Sequence, residues 1–162
     1  DACMAHFADL QAQAQRPAEV AVALWFHDAV YDVGQTGNEQ KSADWARAAL
    51  SAAGVQPDAA QRVHDLVMVT CHDVHPQTRD QEVLLDVDLA ILGAAPAVFD
   101  AYEQQIRAEY ACVPTDAFES RRRRILQQFL DRPRIYHTTQ FHGHYENQAR
   151  DNLAQSIRRL EH

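Results

Sequence analysis

The chain has 162 residues, 46% hydrophobic and 23% charged, which suits one globular domain able to bury a core of its own. Its net charge of −8 sets it against the phosphate backbone of a long nucleic acid, a poor partner on that ground. No apolar run approaches the roughly 18 residues of a membrane span and no signal peptide opens the chain, so no membrane partner is expected.

Cys3, Cys71 and Cys112 stand far apart without a CxxC pair, which argues against a disulfide framework or a thiolate zinc site and fits a reducing cytoplasm. Ala, Gln, Glu, Arg and Leu dominate, Gly numbers 5, and no segment alternates with period two. The prediction is all-α: a single-domain bundle of seven or eight helices spanning 1–159. The helices are placed at 1–14, 17–31, 39–53, 57–72, 81–92, 96–111, 116–131 and 140–159. Pro17, Pro57 and Pro96 are start signals, Gly54 and Gly93 stop signals, and Asn38 and Thr115 are expected caps. Because Asp1 already lies within a helical pattern, native residues are expected upstream of it. Leu160-Glu161-His162 resembles the start of a cloning-site and histidine-tag scar.

The second helix reads Val20-Ala21-Val22-Ala23-Leu24-Trp25-Phe26-His27-Asp28-Ala29-Val30-Tyr31, apolar on every side until His27 and Asp28. Such a helix is expected to be buried, with Trp25 and Phe26, like Phe129 later, at core spacing. His27 falls over Val20 and Leu24, and Asp28 over Ala21 and Leu24, so both are expected to face the interior. A carboxylate there costs several kcal/mol unless it is paired or holds a cation. An ordinary core in which Asp28 pairs with His or Arg is the other reading.

Asp32 and Glu39 follow across a polar loop. Either is a candidate to orient or deprotonate an attacking water, and capping by Asn38 with Glu39 on the helix dipole explains the same residues without chemistry. On the fourth helix His64, Met68, His72 and His75 share a face opposite Val63, Leu66, Val67 and Thr70, where solvated or structural histidines are the plain reading of His64 and His75. In the fifth, the apolar stripe through 84, 85, 91 and 92 is completed by Asp88, whereas Asp86 is expected to turn away from it. Arg121 to Arg124 point all round their helix and are expected to be salt-bridged to Asp116, Glu119 and Asp131.

Two buried carboxylates and an imidazole suit a hard or borderline divalent ion: Mn²⁺, Mg²⁺, Ni²⁺, Fe²⁺ or Zn²⁺. The strings Ala23-Leu24-Trp25-Phe26-His27-Asp28-Ala29-Val30-Tyr31-Asp32, Asn38-Glu39-Gln40-Lys41-Ser42-Ala43 and Leu85-Asp86-Val87-Asp88-Leu89-Ala90-Ile91-Leu92-Gly93 resemble the bacterial branch of the HD superfamily described as predicted metal-dependent phosphohydrolases. The resemblance continues through Arg132-Pro133-Arg134-Ile135-Tyr136 and the helix from Glu146 to Leu153. It implies an HD-like fold with His27, Asp28 and Asp88 as metal ligands, joined by a His from an earlier helix. The branch's Tyr-His-x-x-x-His signature is missing near Asp1. His6 is the candidate in view, and the expectation is that the ligand lies upstream.

The reading that follows is a metal-dependent phosphohydrolase acting on a small phosphomonoester or nucleotide through a metal-activated water. Asp28, Glu39 and Asp32 are the catalytic candidates. Lys41 and His72 are assigned to substrate, with Arg79 as a further counter-charge. The resemblance also admits a second ion with His72 among its ligands. The competing readings are a non-catalytic metal- or nucleotide-binding module and a di-iron oxygenase.

Overall fold

Proline fixes φ near the helical value and lacks the N–H that a first turn leaves unused, and three helices of this chain begin on one. In the computed structural model, which describes residues 2–33, 35–73 and 75–161, these are α2 (Pro17–Phe26), α4 (Pro57–Met68) and α6 (Pro96–Glu109). The others are α1 (Ala2–Leu10), α3 (Asn38–Ala52), α5 (Arg79–Asp88), α7 (Thr115–Leu130) and α8 (Thr139–Arg159). Three short 3₁₀ helices, Gln11–Gln13, Val69–Cys71 and Leu89–Gly93, complete an all-helical chain with no strand among the described residues. Asp1, expected to open the first helix, lies outside the described residues, as do Gly34 and Val74 in the two polar loops and His162 of the expected scar.

Left-handed glycines bracket α3, Gly37 at φ 81° before it and Gly54 at φ 77° after it. Asn38 is therefore not its cap; the amide instead accepts from Asp32 N–H at 3.3 Å and donates to Asp32 O at 3.1 Å, stapling the preceding loop. Thr115 does not cap α7 either, since its hydroxyl accepts from Arg107. Thr138 caps α8, accepting from Phe141 N–H at 3.3 Å.

The second helix stops five residues earlier than expected, at Phe26. Ser42 of α3 explains the break: its hydroxyl accepts from Val30 N–H at 3.0 Å and donates to Val30 O at 3.4 Å, offering that peptide a partner outside the helix. The expected burial of this helix is also corrected. Val20, Ala23 and Leu24 are buried, but Trp25 is 69% exposed and Phe26, like Phe129, only half-buried.

The chain divides into two compact units, Asp1–Asp88 and Leu89–His162. In the first, α3 lies along α4, α2 packs on α4 and α5, and α1 packs on α5. Small residues on α3 (Ser42, Ala43 and Ala46, all buried) let the α4 backbone come close. In the second, the buried Glu146 carboxylate of α8 accepts from Ile135 and Tyr136 N–H at 3.1 and 3.2 Å, and Arg150 donates to the carbonyls of Leu130, Arg132 and Pro133. Asn152 donates to Leu92 and Ala94 O, carbonyls at and just beyond the end of the last 3₁₀ helix. Of the four arginines on α7, Arg122 turns inward onto Glu103 and lies over the Tyr102 ring. Among the described residues, Arg121, Arg123 and Arg124 make no ion pair with Asp116, Glu119 or Asp131, contrary to expectation.

Gly93 has no room for a side chain, because a Cβ there would sit 2.6 Å from Tyr145 Cβ and 2.9 Å from Tyr145 O. Backbone cannot step aside as a flexible side chain can. Gly93→Ala is expected to lower stability by about 1–3 kcal/mol, read as a fall in the urea midpoint at unchanged slope.

Candidate functional site

Three anchors set the position of α2 within the first unit. Its N-terminal approach is held by Asp80 of α5, whose Oδ1 accepts from Gln15 and Arg16 N–H at 2.6 and 3.2 Å. Its first turn is tied to α4 by the bidentate pair of Glu19 with Arg62, at 2.6 and 2.8 Å. Beyond its C-terminus, Ser42 holds Val30.

At the end of that helix the His27 ring donates from Nδ1 to Leu24 O at 2.7 Å, which fixes the tautomer and turns Nε2 the other way. Nε2 then meets two carboxylates, Asp28 Oδ2 at 3.2 Å and Asp88 Oδ1 at 3.3 Å. The second oxygen of Asp88, Oδ2, lies 3.1 Å from His72 Nε2. The result is a chain of contacts, Asp28 to His27 to Asp88 to His72, drawn from the end of α2, the end of α5 and the residue after the Val69–Cys71 3₁₀ helix.

The expectation of two buried carboxylates is corrected for both, Asp88 being half-buried and Asp28 exposed. Asp88 has 18% of its side chain exposed and Asp28 73%, because the chain leaves the helix at Phe26 and carries Asp28 to the surface. Asp86, expected to face away from the buried stripe, is fully buried. Val83 to Val87 are all buried, so α5 is enclosed on every side there and offers Asp86 no solvent face.

Burial works against charge on His27, but hydrogen bonds to Asp28 and Asp88 outweigh it and push the imidazole up to about 11. Burial likewise opposes ionisation of Asp88, and its bonds to His27 and His72 overcome this and bring the carboxyl down to about 2. Cys3 of α1 lies within the field of the same groups: burial raises its thiol, His27 opposes, and Asp88 and Asp28 add to the rise. Reading the sequence passed over Cys3 in favour of His6, which is half-buried one turn later. The available signal was the spacing of Cys3, Phe7 and Leu10, since Phe7 and Leu10 form the inward face of α1.

The remaining candidates lie apart from this contact chain. Lys41 Nζ pairs with Asp32 Oδ2 at 3.5 Å, both side chains largely exposed. Glu39 is half-buried at the start of α3, and burial followed by the charge of Glu39 raises the Cys71 thiol. Arg79 pairs with Glu82 and bonds Gln13. His64 is held between Asp44 and Asp65 on the α3–α4 surface, and His75 is exposed.

Among the described residues no group of three or more His, Cys, Asp or Glu side chains is disposed as a ready ligand set for a metal ion. The donor chemistry of His27, Asp28 and Asp88 nevertheless suits one. Bonds of about 2.1 Å set neighbouring donors about 3.0 Å apart in an octahedron and about 3.4 Å in a tetrahedron, which brackets the two carboxylate contacts at Nε2. A ligating histidine also commonly gives its other N–H to a backbone carbonyl, as His27 does. No protein family, curated protein or solved structure matches the chain.

The two displaced titrations give the metal-free protein a stability window with a defined sign. The contribution of His27 is complete below its ordinary 6.5 and is lost as pH rises through about 11. That of Asp88 is complete above 3.8 and is lost as pH falls through about 2. Urea midpoints measured across pH should therefore show an acid limb and an alkaline limb, both made shallower by Asp88→Asn; limbs of wild-type slope in the variant would remove Asp88 from the cluster.

Proposed function

We propose that the chain is a metal-dependent phosphohydrolase for small phosphomonoesters or nucleotides, with His27, Asp28 and Asp88 holding one divalent ion. The observation that carries the reading is the meeting of two carboxylates from separate elements at His27 Nε2, while Nδ1 is committed to Leu24 O. The likeness of its motifs to HD-type phosphohydrolases supports the same assignment. A divalent ion held there would lower the pKa of a coordinated water and polarise a phosphoryl oxygen.

The residues divide the remaining work by position. Asp88, largely buried, supplies a fixed negative charge, and Asp28 at the surface faces incoming ligand from the solvent side. Glu39 and Asp32 remain the two proton-transfer candidates, and Asp32 is engaged with Lys41. Lys41 and Arg79 already pair with Asp32 and Glu82, so a bound phosphate would have to compete for either cation. A net charge of −8 favours a small substrate over a polynucleotide. No helix among the described residues is long and apolar enough to cross a membrane.

A second reading is a non-catalytic module in which protonated His27 simply bridges two acids. Its support is the direct carboxylate contact that holds the imidazole in its charged form. A panel of phosphomonoesters and nucleotides with Mn²⁺, Ni²⁺ or Mg²⁺, run beside thermal melts, separates the two. The hydrolase reading expects turnover only with added ion, and an ion at 100 times its Kd should stabilise the protein by about 2.7 kcal/mol. Asp28→Ala should cost the metal-free protein about 1 kcal/mol or less, the loss of one solvent-exposed charged contact to His27. The same variant should lose both the ion-dependent melting shift and at least about 100-fold in turnover. Melts that ignore every ion, with no turnover, would leave the bridging module standing.

A further inference from the structure

His72 is the single non-glycine residue with positive φ among the described residues, at 58°. The left-handed region is costly for a side chain bearing a Cβ and comfortable for glycine or asparagine, so a histidine found there calls for a reason beyond the turn itself. The turn is an ordinary one: Val69–Cys71 closes a 3₁₀ helix, Thr70 Oγ1 donates to Val67 O at 2.7 Å, and His72 N–H returns to Val69 O at 3.1 Å. Glycine would satisfy every one of those backbone bonds.

What glycine lacks is the ring, and the ring ends 3.1 Å from Asp88 Oδ2. The opposite oxygen of the same carboxylate faces His27 Nε2 at 3.3 Å. A carboxylate gripped on one oxygen alone turns about its terminal bond with little resistance, because sp³–sp² torsions are broad. Gripped on both, it has one orientation. We infer that His72 is a positioning residue for Asp88: it holds Oδ2 so that Oδ1 stays directed at His27, and the left-handed backbone at residue 72 is tolerated because it delivers the ring. The substrate-binding role expected for His72 gives way to one directed at the carboxylate.

The consequence for ion binding rests on the proposed function, while the positioning itself does not, and the test treats them separately. In metal-free protein, His72→Gly should leave the melting temperature nearly unchanged, since backbone relief offsets the lost ring contact. The melting shifts of His27→Ala and His72→Gly should fail to add in the wild-type background and should add once Asp88 is Asn, because the two rings communicate through that carboxylate. Additive shifts in both backgrounds overturn the inference whether or not any ion binds.

With Mn²⁺ in a calorimetric titration, His72→Gly should weaken binding about 10–100-fold at unchanged stoichiometry. His72→Asn, which tolerates the left-handed backbone and retains a donor, should recover part of the affinity. Affinity equal to wild type in His72→Gly, or a stoichiometry reduced by one ion, overturns the inference, the latter by making His72 a ligand. Wild type that binds no ion, together with shifts that fail to add through Asp88, would sink the hydrolase reading and leave the positioning role intact.

Discussion

A carboxylate largely removed from water must find charged or hydrogen-bonding partners or give up its charge, and Asp88 finds one on each oxygen. Neither partner is local in sequence. His27 arrives from the end of α2 and His72 from the residue after the Val69–Cys71 3₁₀ helix, so the ionised state of one side chain requires three stretches of the first unit to end at the same place. The rest of that unit can be read as what makes the coincidence reproducible. Asp80 binds the approach to α2 from the opposite end of α5, and Glu19 with Arg62 fixes α2 against α4. An element held at both ends cannot slide by a turn without breaking one charged contact or another.

How the chain leaves α2 is as consequential as how it enters. A helix continued to residue 31 would have carried Asp28 round the wheel toward the apolar interior. Ser42 prevents this by taking both backbone polar groups of Val30, and Asn38 repeats the device on Asp32. The loop is thereby pinned to α3 by side chains rather than by packing. Asp28 keeps its contact with His27 while remaining open to solvent, so the two carboxylates at Nε2 are unequal: one is held and screened from water, the other exposed.

Much of the fold was legible in the sequence because its signals are local. The three proline starts and Gly54 act within a turn of themselves, and apolar spacing marked all eight helices to within a few residues at most ends. The errors share a cause. Ser42 reaching Val30, Gly37 taking the turn before α3 and the passage from α5 into a 3₁₀ helix are each settled by a partner or a change of pitch that periodicity does not encode. The exposure of Asp28 follows from the early end of α2, and the burial of Asp86 from an α5 enclosed on every side between Val83 and Val87. His27 and Asp88 were legible because a polar residue interrupting an apolar stripe is visible at any distance. The role of His72 was not, since its left-handed backbone appears only in three dimensions.

In the second unit, polar groups of the stretch from Arg132 to Tyr136 and of the helix from Glu146 onward are spent on the unit's own backbone. Glu146 neutralises two peptide N–H groups and Arg150 three carbonyls, so a connection of irregular backbone is satisfied without water and without a sheet. Tyr136 OH donates to Leu89 O at 2.9 Å, Asn152 takes Leu92 and Ala94 O, and Gly93 admits Tyr145 where any Cβ would collide. Each of these residues is engaged with the backbone of its own unit. The demand that fixes them is the backbone's own.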